Sequence, residues 1–382
     1  MHTSPVLDEL GAYPFARLDA EKRRVAASGK RVVDFGVGDP REPTAAFIRE
    51  ALAAGLRETM EYPKAQGLPE LRAAIADWVA RRFGVRLDPD REVIPTLGAK
   101  EAIFSFAQVV VDRAGGRDTV VVTEPAYPVA ERGARFAGAD VVRLPLVEEN
   151  DFLPAVDAVE PEVWARAAIV WINYPNNPTG AVAPLGLLER LAALADEHGF
   201  LLASDEAYTE LWFDQPPVSA LQVEKRTNVV ALNSLSKRSS MTGYRSGFIA
   251  GSADAIDALK LFRPTVGTAP QDFVQRASVV AWQDEEHVRE TRDRYARKRT
   301  TLREALERNG LRIAGGPATM YLWVAVPAGE TSAAFAERLL DHGIVVAPGS
   351  ALGPSGEGYV RFALVPTEEE CRDAATILEE AL

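Results

Sequence analysis

The residues with the clearest chemical potential follow an apolar run near the middle of the chain. Val229–Leu232 predicts a short buried strand, and the polar loop after it contains Ser234, Ser236, Lys237 and Arg245. A lysine that desolvation keeps neutral can form a Schiff base with an aldehyde, whereas arginine offers a permanent forked charge to a phosphate. The spacing therefore predicts a Schiff-base lysine beside an anion cradle. The alternative is a solvated lysine and arginine on a surface turn.

Two other loops supply groups that suit a flat nitrogen heterocycle. Asp205 follows the predicted strand Phe200–Ser204, where a carboxylate is costly unless it is paired, and a protonated ring nitrogen is a suitable partner. The other interpretation of Asp205 is a helix N-cap. Asn177, in an Asn-Asn-Pro-Thr-Gly turn, and Tyr208 can both hydrogen-bond a phenolate oxygen on such a ring.

Three further features complete the candidate site. The turn Gly98-Ala99-Lys100 opens a predicted helix and offers free backbone N–H groups to a phosphate, although an ordinary strand-to-helix turn has the same appearance. Tyr127, in a loop held by two prolines, is either a stacking surface for a ring or a packed surface tyrosine. Arg361 lies within an apolar strand, where its fork matches a substrate carboxylate or an acidic side chain of the chain itself. An amine beside a phosphate cradle is what pyridoxal phosphate chemistry requires.

The elements that position these residues alternate between strands and helices. Seven short β-branched runs between residues 93 and 250 predict a mostly parallel α/β sheet: Val93–Pro95, Val120–Thr123, Val141–Leu144, Ala168–Asn173, Phe200–Ser204, Val229–Leu232 and Gly247–Ala250. Ligands bind beyond the carboxyl ends of such strands, where the polar residues above lie. We expect a large domain at 45–283. The arm 1–44, with a helical stretch at 16–28, and the α+β unit 284–382 form a smaller domain.

Composition excludes several classes of function. The 382-residue chain has a formal net charge of −12, which disfavours nucleic acid as a partner. Its one cysteine and four scattered histidines predict neither disulfides nor a metal site. Neither a signal peptide nor an apolar run of about 18 residues is present, so we expect a cytoplasmic protein without membrane contact.

The order and spacing of these motifs resemble the fold-type I pyridoxal-phosphate enzymes of the class I/II aminotransferase family over almost the whole chain. The resemblance implies a fold like that of aspartate aminotransferase, with Lys237 as Schiff-base lysine and proton carrier, Asp205 as the partner of the ring nitrogen, and Asn177 with Tyr208 at the phenolate. It makes Tyr127 the stacking ring and Arg361 the clamp for the substrate's α-carboxylate, with Asn177 and Gly38 also near the substrate. The implied phosphate ligands are Gly98, Ala99, Lys100, Ser234, Ser236 and Arg245. Tyr62, in the family's Y-x-x-x-x-G position, would reach the phosphate of the neighbouring subunit, which implies a homodimer with shared active sites.

The same resemblance implies transfer of an amino group between an L-amino acid and a 2-oxo acid by a ping-pong mechanism. Within the family the motifs are most similar to N-succinyldiaminopimelate aminotransferases of lysine biosynthesis, which use 2-oxoglutarate. LL-diaminopimelate, aspartate, alanine and aromatic amino acids are alternative donors, and a pyridoxal-phosphate β-lyase or a regulatory sensor domain are alternative functions. Arg263 and Arg238 are the candidates to bind a distal substrate carboxylate.

Overall fold

The computed structural model describes residues 1–10, 22, 25 and 29–381. The predicted helix at 16–28 therefore lies almost entirely outside the described residues. The strands are β1 Val33–Asp34, β2 Val93–Thr96, β3 Thr119–Glu124, β4 Asp140–Pro145, β5 Ala167–Asn173, β6 Leu201–Asp205, β7 Val229–Ser234, β8 Gly247–Gly251, β9 Tyr321–Ala325, β10 Ile344–Val345, β11 Ala347–Pro348 and β12 Tyr359–Ala363. The helices are α1 Pro5–Leu10, α2 Ala46–Gly55, α3 Pro69–Phe83, α4 Gly98–Val110, α5 Val129–Phe136, α6 Pro161–Arg166, α7 Leu185–His198, α8 Leu235–Arg238, α9 Ala253–Val266, α10 Asp272–Gln283, α11 Glu286–Arg308, α12 Ser332–Asp341 and α13 Glu368–Ala381.

The largest sheet has seven strands in the order β2-β8-β7-β6-β5-β3-β4. Five of them, β4, β3, β5, β6 and β7, pair in parallel, whereas β8 is antiparallel to both of its neighbours. All seven predicted strands are present in this sheet, so the prediction of a mostly parallel α/β sheet is confirmed. The strand ends of β5, β6 and β7 consequently meet at one edge.

Helices cover both faces of this sheet because alternate strand residues point to opposite sides. Val230 and Leu232 of β7 pack with Phe106 of α4, whereas Ala231 belongs to the cluster around Trp78 of α3. Residues of β3, β5, β6 and β7 are buried on both faces, as expected for a sheet between two helical layers, whereas the edge strand β4 is largely exposed.

Two smaller sheets lie outside the large one. β11, β12 and β9 form an antiparallel sheet in which Arg361 pairs with Trp323, and β1 pairs in parallel with β10. Helices α11, α12 and α13 pack against these strands in a common hydrophobic core. The sequence Thr367-Glu-Glu-Glu370 predicts a capping box, and it is present at the start of α13, where the Thr367 N–H donates to Glu370 at 2.7 Å and the Glu370 N–H donates to Thr367 Oγ1 at 3.1 Å. The domain boundaries given above stay a prediction.

None of the helices in the described part of the chain is long and apolar enough to cross a membrane.

Candidate active site

A cavity of about 550 Å³ opens at the carboxyl ends of β5, β6 and β7. Most of the predicted site residues line it: Gly38, Ala99, Lys100, Tyr127, Asn177, Asp205, Tyr208, Ser234, Ser236, Lys237, Arg245 and Arg361. They come from loops that are distant in sequence, and the parallel strands bring those loops to one edge. The tertiary structure thus brings side chains from positions as far apart as 38 and 361 together around the amine of Lys237.

Lys237 lies on the short helix α8, directly after β7. Ser234 caps this helix, because its Oγ accepts the Ser236 N–H at 3.1 Å. The Lys237 Nζ donates to the carbonyl oxygen of Gly38 at 2.6 Å. Burial lowers the pKa of Lys237 to about 8. The neighbouring Asp39 carboxylate opposes this shift, whereas the charges of Arg361 and Arg245 add to it. The neutral amine, which is the nucleophilic form, is therefore populated near pH 8.

Asp205 ends β6, the strand that pairs with β7, and lines the same cavity. Its Oδ1 accepts the Ala207 N–H at 3.2 Å, and the chain continues into a turn, so the helix N-cap interpretation is wrong. Among the described residues, no cation forms a salt bridge with this carboxylate. Burial raises the pKa of Asp205 to about 6. A cation placed beside it, such as a protonated ring nitrogen, would relieve that cost.

A hydrogen-bond network joins the remaining polar groups on this side. Arg361 donates to Asn177 Oδ1 and to the Gly36 carbonyl oxygen, both at 2.8 Å. The Asn177 amide nitrogen lies 3.4 Å from the hydroxyl oxygen of Tyr208. The network therefore links the predicted carboxylate clamp to the two predicted partners of a phenolate oxygen.

Tyr321 belongs to the same network, although its sequence context does not predict a site residue at this position. Its hydroxyl lies 3.0 Å from that of Tyr208, and the guanidinium of Arg361 lies 4.5 Å from its ring centroid. A Cβ on Gly38 would lie 2.2 Å from the Tyr321 hydroxyl, so only glycine fits at position 38. The signal in the sequence was weak, because strand alternation alone does not tell which face of β9 meets the cavity.

The start of α4 and the loop after α8 form a second, anion-binding end. Arg245 donates to the carbonyl oxygens of Thr242 at 2.8 Å and Leu97 at 3.1 Å. Gly98 has a φ of +72°, and a Cβ there would lie 2.6 Å from Arg245 Nη2. Glycine thus lets the guanidinium lie against the first turn of α4, whose free N–H groups also attract anions. Ser234 donates to Ser236 Oγ at 2.9 Å beside them.

Tyr127 lies in the cavity wall, with the Lys100 Nζ 5.7 Å from its ring centroid. An anion cradle, a half-buried carboxylate that forms no salt bridge with any described residue, a phenolate-binding pair and a flat aromatic wall match the phosphate, ring nitrogen, ring hydroxyl and ring face of pyridoxal phosphate. The residues present therefore fit this cofactor.

Four of the predicted residues do not line the cavity: Gly98, which lies against Arg245, and Tyr62, Arg263 and Arg238. Tyr62 is fully exposed and lines a different cavity together with Arg263. Arg263 is 1% exposed, with its Nη1 3.5 Å from Glu101 Oε2. Arg238 points away from the cavity on the far side of α8.

The surroundings of Arg238 explain its direction. Its guanidinium lies 4.6 Å from the Trp282 ring and 5.4 Å from the Trp78 ring, and it donates to Glu285 Oε1 at 2.8 Å. These contacts hold the charged guanidinium inside the protein. Arg238 is therefore not available to bind a distal substrate carboxylate.

Comparisons with known proteins agree with this geometry. The family model described as aminotransferase class I and II matches residues 30–378. LL-diaminopimelate aminotransferases of Dehalococcoides mccartyi and Aquifex aeolicus are 39% and 43% identical over 376 and 369 residues, covering 97% and 95% of this chain and 96% and 95% of those proteins. A solved structure from Thermus thermophilus, named as a probable N-succinyldiaminopimelate aminotransferase, has a TM-score of 0.89 and 34% identity, and covers 97% of this chain and 100% of that one.

Proposed function

This chain belongs to the class I and II aminotransferases, which are pyridoxal-phosphate enzymes, and we propose that its amino donor is a diaminopimelate. The observation that carries the proposal is the grouping of Lys237, Asp205 and Arg361 around one cavity, in a chain whose relatives are named for this substrate. The reaction class is established by the family; the donor and the roles of individual residues are what we propose.

Bound pyridoxal phosphate supplies an electron sink for the negative charge that develops at the substrate's Cα. Asp205 holds the ring nitrogen and keeps it protonated, because the buried carboxylate is stabilised by the positive charge. Tyr208 and Asn177 hydrogen-bond the ring oxygen. The phosphate is held by the N–H groups at Gly98–Lys100, by Ser234 and Ser236, and by Arg245.

Arg361 and Lys237 act on the substrate itself. The Arg361 guanidinium is fixed by Asn177 and the Gly36 carbonyl, so its fork is oriented before the α-carboxylate arrives. The neutral amine of Lys237 takes the proton from the substrate's Cα. Its lowered pKa suits this role, since the amine must be neutral to accept a proton. A 2-oxo acid with the same carboxylate geometry then uses the same groups in reverse.

The relatives favour the free diaminopimelate over its N-succinyl form. Two curated relatives at 39% and 43% identity are named for LL-diaminopimelate, whereas the protein named for the N-succinyl substrate is 34% identical. The sequence prediction placed the N-succinyl substrate first and LL-diaminopimelate among the alternatives. We now place LL-diaminopimelate first, with 2-oxoglutarate as the acceptor.

We further propose a cytoplasmic homodimer with shared active sites. Tyr62 has a fully exposed ring, and Met60 and Val266 near it are exposed as well. An apolar surface of this kind is expected where a second subunit packs. Tyr62 of one subunit would then reach the phosphate bound by the other.

A donor screen tests the proposal. The cofactor-loaded protein is mixed with LL-diaminopimelate, N-succinyl-LL-diaminopimelate, glutamate, aspartate, alanine and phenylalanine, and the visible absorbance of the cofactor is followed. We expect a diaminopimelate to discharge the absorbance fastest. If glutamate reacts and neither diaminopimelate does, the donor proposal is refuted. Release of pyruvate and ammonia from cysteine or cystathionine without any 2-oxo acid would instead identify a β-lyase.

A further inference from the structure

The cavity contains one carboxylate to which the mechanism above gives no role. Asp39 is exposed, lines the cavity together with Lys237 and Arg361, and immediately follows Gly38. Among the described residues, no cation lies within salt-bridge distance of Asp39 and no donor reaches its carboxylate. Its negative charge raises the pKa of Lys237 against the effect of burial and repels anionic substrates and a phosphate, so it favours binding only of a substrate that also carries a second cation.

The backbone around Asp39 runs between the two groups that hold the substrate. Arg361 donates to the Gly36 carbonyl oxygen at 2.8 Å, and Lys237 donates to the Gly38 carbonyl oxygen at 2.6 Å. An amino acid whose α-carboxylate is at Arg361 and whose Cα is at Lys237 therefore lies along residues 36–38. Asp39 is the next side chain along this wall.

We propose that Asp39 is a specificity-determining residue that binds a free distal ammonium group of the donor. This inference rests on the proposed diaminopimelate function and deepens it. The distal ammonium of LL-diaminopimelate would pair with the Asp39 carboxylate. An N-succinyl group replaces that ammonium with a neutral amide and adds a carboxylate, which Asp39 repels. The residue thus selects the free amino acid over its acylated form.

The test compares donors that differ only in the distal amine. LL-diaminopimelate and L-2-aminopimelate share the same carbon chain and both carboxylates, so the ratio of their kcat/KM values reports the distal ammonium alone. We expect the wild-type holoenzyme to prefer LL-diaminopimelate, and Asp39→Asn to reduce this ratio by about tenfold or more. Because Asp39 also acts on the charge of Lys237, the variant changes the rates with both donors, and the ratio cancels that common effect.

Asp77→Asn is the matched control, since Asp77 is exposed on α3 and does not line the cavity. It makes the same change in net charge and should leave the ratio unchanged. An unchanged ratio in Asp39→Asn overturns the inference, as does a wild-type enzyme that uses N-succinyl-LL-diaminopimelate better than LL-diaminopimelate. In both cases the diaminopimelate function stands. If neither diaminopimelate discharges the cofactor absorbance of the wild-type protein, the proposed function fails instead.

Discussion

Asp205→Asn should stabilise the cofactor-free protein while impairing its function. Burial raises the pKa of Asp205 from 3.8 to about 6 in the cavity, and this difference corresponds to about 3 kcal/mol. The sign follows from proton binding: below pH 3.8 the carboxyl is protonated in both the folded and the unfolded state, so the group carries no penalty. Between pH 3.8 and about 6 the unfolded carboxyl ionises while the folded one keeps its proton, so stability is lost over this range, and above pH 6 the loss stays constant.

The side chain of asparagine has the same shape without the charge, and its Oδ1 can still accept the Ala207 N–H. We therefore expect the free energy of unfolding of cofactor-free Asp205→Asn to exceed that of the wild type by about 1–3 kcal/mol at pH 8. About half of this difference should remain near pH 5.

Urea unfolding of the cofactor-free proteins, followed by circular dichroism between pH 5 and 8, measures this difference. Asp77→Asn, at an exposed carboxylate on α3, should show no change at any pH. A variant that is less stable than the wild type at pH 8, or a difference that does not fall towards pH 5, would refute the reasoning. It would mean that Asp205 is stabilised in the empty cavity rather than penalised there.

The same substitution should weaken cofactor retention, because it removes the charge that pairs with the ring nitrogen. Truncating one partner of a buried charge pair typically costs about 2–5 kcal/mol. We expect the dissociation constant for pyridoxal phosphate to rise by at least about 30-fold. Equilibrium dialysis checks this, and an unchanged dissociation constant would exclude Asp205 as the ring-nitrogen partner.

Three further predictions concern other groups of the cavity. The rate of cofactor uptake by the cofactor-free protein should rise as the pH passes through about 8, since the neutral amine of Lys237 is the reactive form. Stopped-flow absorbance measures this rate, and a rate that does not depend on pH would contradict the lowered pKa. Tyr321→Phe removes the hydroxyl that lies 3.0 Å from that of Tyr208, so kcat in steady-state assays should fall about tenfold while the midpoint of thermal unfolding changes little. An unaltered kcat would show that this hydrogen bond has no part in catalysis. Gly98→Ala places a Cβ 2.6 Å from Arg245 Nη2, so the affinity for the cofactor should drop by about tenfold or more in a binding titration. If the variant keeps the affinity of the wild type, the first turn of α4 does not hold the phosphate.

Much of the fold was accessible from the sequence because it depends on local patterns. Short β-branched runs separated by helical segments predicted seven strands, and all seven pair in the large sheet. Parallel pairing itself implies that polar residues such as Asp205 and Lys237, which follow two of those runs, meet at one edge. The capping box at Thr367 and Glu370 is likewise a local signal, and both of its hydrogen bonds are present.

Other features depend on which distant segments pack together, and local patterns carry little information about that. Arg238 is adjacent to Lys237 in sequence, yet Trp78 and Trp282 draw its charge to the opposite side of α8. Tyr321 enters the site because β9 presents that face to Gly38, where no Cβ fits.

The sequence by itself determined the sheet, its functional edge and the types of residue that lie there, because hydrophobic periodicity and turn preferences depend only on short local stretches of sequence. Only the tertiary structure decided what those residues can do. The pKa of Lys237 near 8 and that of Asp205 near 6 arise from the exclusion of water. That exclusion exists only when loops from several parts of the chain close around the same cavity.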